Sequence, residues 1–144
     1  MNKLKKNNSG FTLLEIIIVV IIVGVLASLA LPRLFSNVEF SRSTEAMAAV
    51  GTIRSSIERC FLRQGTYDNC ENFSDEGTPQ LDINNPENTA GSLFDYAIAG
   101  NGTAGYSITA TRNTSQGGDN THTITATADS TGVNIVGTGA FVSL

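Results

Sequence analysis

Three lysines, a glycine–phenylalanine step and one isolated carboxylate are the features of this chain with most chemical content. Lys3, Lys5 and Lys6 precede Ser9 and Gly10, and Gly10-Phe11-Thr12-Leu13-Leu14-Glu15 opens the run FTLLEIIIVVIIVGVLASLAL, in which Glu15 is the sole charge. Peptidases that process exported chains cut beside small residues, ordinarily after the apolar segment. Here Ser9 and Gly10 lie before it. A cut at that point removes MNKLKKNNSG, keeps the whole apolar segment and creates an α-amine at Phe11. A carboxylate at membrane depth costs about 2.5–3.5 kcal/mol and is usually paired. No base lies within the run, so the Phe11 amine is the candidate partner of Glu15, either on its own helix or on a neighbour in a staggered bundle. The second arrangement would set register, because one axial offset alone joins the two charges. Snorkelling of the carboxylate to the interface is the alternative.

The elements that position these groups follow from length and pattern. Phe11 to Leu31 is 21 residues, about 32 Å as a helix, close to a bilayer's hydrocarbon thickness. With lysines before it, the N-terminus is expected in the cytoplasm and the remainder exported. A cleaved secretory signal and a plain signal anchor are the other readings of such a segment. Gly24 and Ser28 form a small-xxx-small pair suited to close helix approach. Pro32 deprives the Ser28 carbonyl of its helical donor, so a kink is expected there.

The stretch from Lys3 to Pro32 resembles the type IV pilin family, which includes type IV pilus subunits and type II secretion pseudopilins. The resemblance rests on the basic leader, Gly10 before Phe11, Glu15 at the fifth position after the cut, and the apolar helix ending at Pro32. It implies cleavage between Gly10 and Phe11 by a membrane aspartyl peptidase, with N-methylation of Phe11. It also implies a role for Glu15 in assembly and a helix able to extend locally between Gly24 and Pro32 inside a filament. The processed chain would carry six basic and thirteen acidic side chains.

From Arg33 to Gln64 the pattern turns amphipathic. Ala46, Ala49, Val50, Ile53, Ile57, Cys60 and Phe61 recur at three- and four-residue spacing, opposite Arg42, Glu45, Arg54, Glu58, Arg59 and Arg63. One helix from about Phe11 to Arg63 is expected, with its arginines either solvated or paired with acids of adjacent subunits. Gly65 suits a C-terminal cap. Residues 65–92, rich in Asn, Asp and Pro, read as an irregular αβ-loop, which the resemblance makes variable and often surface-exposed.

Beyond it, Phe94/Tyr96/Ile98, Tyr106/Ile108/Ala110, His122/Ile124/Ala126/Ala128 and Val133/Ile135 alternate with Ser and Thr. That is the period of strands with one buried face. Turns are expected at Gly100–Gly102, Gly117–Asn120 and Asp129–Gly132. The fold class is therefore α+β: a leader over 1–10, a membrane and assembly helix over 11–32, and an amphipathic half over 33–64. The last packs on an antiparallel sheet of about four strands within 93–144, and the two form one globular head.

Cys60 and Cys70 both fall on the exported side, where oxidising conditions favour a disulfide. Loop-closure reasoning gives such a short bridge about 2–3 kcal/mol, and two free thiols are the alternative. No second ligand pair lies near enough in sequence to suggest a metal site. His122, the sole histidine, is expected to pack rather than act as a base. No nucleophile elbow, phosphate loop or metal signature points to an enzyme or a cofactor. From residue 64 onward there are nine acids and one base, Arg112, so no basic patch is available for a nucleic-acid backbone. Sequons at Asn72, Asn101 and Asn113 are unsurprising in an Asn/Thr-rich chain.

The expected function is a structural subunit, the major pilin of a type IV pilus. Its partners would be identical subunits, the prepilin peptidase and methyltransferase, the assembly machinery, and the inner membrane before assembly. Its final place would be the cell surface. The alternatives are a type II secretion pseudopilin, for which the acids near the C-terminus (Asp119 and Asp129) form no convincing calcium cluster, and a membrane-anchored binding domain that never polymerises.

Overall fold

The computed structural model describes residues 11–142, so Gly10 and the leader lie outside the described residues. Helix α1 spans Leu13–Gln64 and runs through Pro32. Four strands follow: β1 (Phe94–Asn101), β2 (Gly105–Arg112), β3 (Thr123–Asp129) and β4 (Gly132–Gly137). Each is antiparallel to the next in the order β1-β2-β3-β4, a meander. The architecture is the expected α+β. The chain divides into two compact units, with the boundary between Asn37 and Val38.

In the first unit, every residue from Phe11 to Phe35 is exposed. An all-round apolar surface has no inner face to bury within one chain; it suits lipid or a bundle of like helices. The helix begins at Leu13 because Thr12 caps it. The Glu15 amide donates to Thr12 Oγ1 (3.3 Å), and Glu15 Oε2 accepts from the Thr12 amide (2.8 Å) and hydroxyl (2.9 Å). This is a reciprocal capping box.

In the second unit, Ala46, Val50, Ile53, Ile57 and Cys60 form the buried stripe of the helix. Tyr96, Tyr106, Ile108, Ala110, Ile124, Ala126 and Ala128 form the buried face of the sheet, and all belong to one cluster with the helix stripe. The helix ends as anticipated, with Gly65 at φ +74° and its amide on the Phe61 carbonyl at 2.8 Å. On the opposite face of the sheet, Ser107, Thr109 and Thr111 stand across from Thr127, Thr125 and Thr123.

Several details differ from expectation. The Gly100–Gly102 turn lies further along: β1 continues to Asn101, and Ala104 donates to the Asn101 carbonyl at 2.8 Å. Gly100 is a strand residue whose missing side chain matters, because a Cβ there would sit 2.5 Å from the Tyr67 carbonyl. Val133 is exposed, since β4 is a sheet edge. His122 falls just before β3, packed edge-on to Phe141 at 5.8 Å. The αβ-loop is irregular, with a short 3-10 turn at Pro86–Asn88, but it is not simply a surface loop. Phe73 and Leu81 enter the core, and Asn85 is buried with them.

Candidate assembly site

Of the residues singled out by sequence, Phe11 and Glu15 lie together at the start of α1, and Gly24 and Pro32 lie further along it. Gly10, the other side of the expected cut, lies outside the described residues. Phe11 is 85% exposed. Glu15 uses one carboxylate oxygen, Oε2, for both bonds to Thr12. Its other oxygen, Oε1, makes no hydrogen bond among the described residues. Apart from the helix's own backbone and the flanking residues, no atom among the described residues lies within 4 Å of the position a Cβ would take on Gly24. Ser28 Oγ donates to the Val25 carbonyl at 2.7 Å, one turn before Pro32.

Cys60 and Cys70 are joined, with a Cα–Cα separation of 5.8 Å, and both are fully buried. The bridge ties the last turns of α1 to the start of the αβ-loop. Carboxylates carry that loop along the free edge of β1. Glu87 accepts from the Tyr96 amide at 3.2 Å, Glu71 from the Gly100 amide at 2.5 Å and Asp68 from the Gly102 amide at 2.7 Å. These acids satisfy edge donors that would otherwise await a strand from another chain. The opposite edge, β4, carries the exposed Val133 and Val136.

The arginines on α1 were candidates for contacts with neighbouring subunits. Three of them are used within the chain. Arg42 pairs with Glu39. Arg59 makes a two-pronged bond to Asp82, with Nε–Oδ2 and Nη2–Oδ1 both at 2.8 Å. Arg63 donates to the Gln80 carbonyl at 3.0 Å. The Ser56 hydroxyl also donates to Asp82. Arg59 and Ser56 together hold the Asp82 carboxyl well below the usual carboxylate range, and the hydrogen bond to Asp82 in turn raises Arg59.

Arg112 is the residue sequence reasoning missed. It was counted as the one base after residue 64, yet its side chain is completely buried. Its Nε donates to Glu39 at 3.1 Å, its Nη1 donates to the Leu93 carbonyl at 2.8 Å, and its guanidinium carbon lies 5.7 Å from the Phe94 ring centre. A signal was present: Arg112 continues the inward series Tyr106, Ile108, Ala110 at period two. This ion pair links the end of β2 to the part of α1 just after Asn37.

The comparisons with known proteins match two adjoining stretches of the chain. The prokaryotic N-terminal methylation motif matches residues 5–31. The family described as "Type IV minor pilin ComP, DNA uptake sequence receptor" matches residues 32–134. Among individual relatives, the "Type IV major fimbrial protein FimA" of Dichelobacter nodosus is 37% identical over 67 residues, 46% of this chain and 42% of that protein. The "Type II secretion system core protein G" of Aeromonas hydrophila is 34% identical over 67 residues, 46% of this chain and 47% of that protein. A "Probable minor fimbrial protein" of Dichelobacter nodosus is 36% identical over 96 residues, 67% of this chain and 59% of that protein. The match thus spans less than half the length of the first two relatives. With the methylation motif at its start and the head matched across most of its length, the chain belongs to the type IV pilin family, in the group described as type IV minor pilin ComP.

Proposed function

We propose that this chain is a subunit of a type IV pilus. It enters the cytoplasmic membrane as a single-pass precursor, is cut between Gly10 and Phe11, is methylated at Phe11, and polymerises through α1 into a surface filament. The observation that carries this reading is the segment from Phe11 to Leu31, exposed on every face, whose sole charge, Glu15, has an oxygen, Oε1, that makes no hydrogen bond among the described residues. In the filament that oxygen takes the Phe11 amine of a neighbouring subunit, and Gly24 and Pro32 mark where the helix extends on packing.

Glu15→Gln tests this cleanly, because glutamine also serves at this position of a capping box. The helix start survives and only the charge is lost. Glu15→Gln is expected to insert and be processed but to give few surface filaments at matched membrane levels, with Glu15→Asp intermediate. Normal filament yield would remove charge pairing as a requirement for assembly. Loss of processing would show that Glu15 serves the peptidase instead.

Whether the subunit builds the shaft or is a minor component turns on a second observation. The match across the head is to a family described as minor pilins, whereas the fimbrial relative FimA is a major subunit. The FimA likeness supports the shaft subunit, and the head family supports the minor component. Quantitative mass spectrometry of sheared filaments decides: a dominant subunit supports the shaft, a trace subunit the minor role, and absence from pili with presence in a secretion complex the pseudopilin alternative. The DNA uptake named in the family's description is not part of the proposal. From Val38 onward the chain has twelve acids and five arginines, and one of those arginines, Arg112, is buried, leaving little to neutralise phosphates.

A further inference from the structure

A hollow of about 350 Å³ opens between the second half of α1 and the two hairpin turns, and the filament reading makes no use of it. Its walls carry Arg54, Glu58, Phe61, Tyr67, Asp129 and Ser130. Several features hold these groups in place before any ligand arrives. Tyr106 Oη donates to Glu58 Oε1 at 2.9 Å and Tyr67 Oη donates to Glu58 Oε2 at 3.4 Å, so the carboxylate is fixed between two phenols. Burial and the Glu58 carboxylate both push the Tyr106 hydroxyl up, keeping it a donor. The Tyr67 ring stacks on Phe61 with centroids 4.2 Å apart. The Cys60–Cys70 bridge joins the segments that present Phe61 and Tyr67. Gly105 lines the hollow at φ +150°, and a Cβ there would meet the Ala128 carbonyl oxygen at 2.0 Å. A preorganised wall lowers the ordering cost of binding.

The chemistry of the walls selects the ligand. The walls carry one guanidinium and two carboxylates, so a phosphodiester chain would meet more repulsion than attraction. Hydroxyl groups of a sugar both donate to carboxylates and accept from a guanidinium, and its C–H faces pack against aromatic rings. The volume lies at the small end of ligand sites, which run from about 300 to 1,000 Å³, and suits one or two rings. We infer that this hollow binds a neutral saccharide, with Glu58 and the Oδ2 oxygen of Asp129 accepting from its hydroxyls (Asp129 Oδ1 already accepts from the Thr131 amide and hydroxyl), Arg54 donating to them, and Phe61 and Tyr67 forming the apolar wall. The inference stands on the head alone and holds whether the subunit is major or minor.

The test is titration of the isotopically labelled mature chain in detergent micelles with four disaccharides: diacetylchitobiose, maltose, lactose and cellobiose. Amide shifts are followed at Gly105, Ser130 and Gly132. At least one sugar should give saturable shifts confined to these turns, with a Kd in the millimolar range or tighter. Arg54→Ala, at an exposed helix position, should weaken binding at least about tenfold, equivalent to about 1.4 kcal/mol, without moving the unfolding midpoint. Ser130→Trp, whose ring would fill the hollow, should abolish it. No saturable shift with any of the four at about 10 mM, well above a millimolar Kd, overturns the inference. So do shifts that persist in both variants, or tighter binding of 1,5-diaminopentane or a DNA duplex at the same amides.

Discussion

The Glu39–Arg112 pair yields a prediction in which the two obvious substitutions differ sharply. Removing Glu39 strands a guanidinium that has no exposure of its own. Leaving one member of a buried pair uncompensated costs about 3–5 kcal/mol. Arg112 would keep its bond to the Leu93 carbonyl, so Glu39→Ala should fall near the lower end, about 3 kcal/mol. Removing Arg112 strands much less. Glu39 is 19% exposed and retains Arg42. The Leu93 carbonyl still accepts the Asn113 amide at 2.9 Å. Methionine fills most of the vacated space beside Phe94. Arg112→Met should therefore cost about 1 kcal/mol, the net worth of a hydrogen bond, and the double variant should resemble Arg112→Met rather than the sum. Urea unfolding of the mature chain in micelles measures this through its tyrosines, since the chain has no tryptophan. With a slope of about 2 kcal/mol per molar urea, the two single variants should separate by about 1 M in midpoint. Equal midpoints, or a larger loss from Arg112→Met, would refute the reasoning.

Replacing Cys60 and Cys70 together by alanine should cost about 3 kcal/mol by loop entropy; hydrogen exchange should quicken mainly in residues 66–72, and uniform loosening across the sheet would argue against a local staple. The Asp82 clamp should resist mild acid: a carboxyl depressed in the folded state contributes stability above its unfolded value of about 3.9, and that contribution is lost as pH falls through the depressed folded value. Protection of the Asp82 amide, which donates to Ser56 Oγ at 3.3 Å, should thus be unchanged from pH 6 to about 4 and fall only below that, whereas loss of protection before pH 4 would contradict the assignment.

The parts of this fold written in periodic patterns were legible in the sequence. Ile53 and Ile57 mark the helix stripe, Ile108 and Ile124 the inward sheet face, and Gly65 the helix end, because burial of one face imposes a repeat that survives in any single sequence. The αβ-loop was not legible. Phe73 and Leu81 reach the core from irregular backbone, where no period predicts direction. Nothing in the spacing of Asp68, Glu71 and Glu87 marks them as acceptors for amides at the free edge of β1. Arg112 was hidden for a related reason. A charge at an inward register position contradicts the hydrophobic pattern unless its partner is known, and Glu39 is 73 residues away.

The internal use of Arg42, Arg59, Arg63 and Arg112 bears on the proposed assembly. These cations are committed to Glu39, Asp82 and backbone carbonyls of their own chain, so they bring little attraction to a neighbour's acids. From Val38 onward acids outnumber arginines twelve to five, so heads brought together repel one another, more strongly at low salt. The favourable contribution must come from α1. Yet moving an apolar helix from lipid into a helical bundle gains little hydrophobic free energy, since lipid tails are as apolar as leucine. What remains, in the assembly proposed above, is close packing at Gly24 and the pairing of one charge per subunit at Glu15. A charge removed from water and lipid headgroups demands its partner far more strictly than any apolar contact does. In the proposed filament, then, the large apolar surface makes bundling permissible, and the one carboxylate of that surface, whose Oε1 makes no hydrogen bond among the described residues, selects which bundle forms.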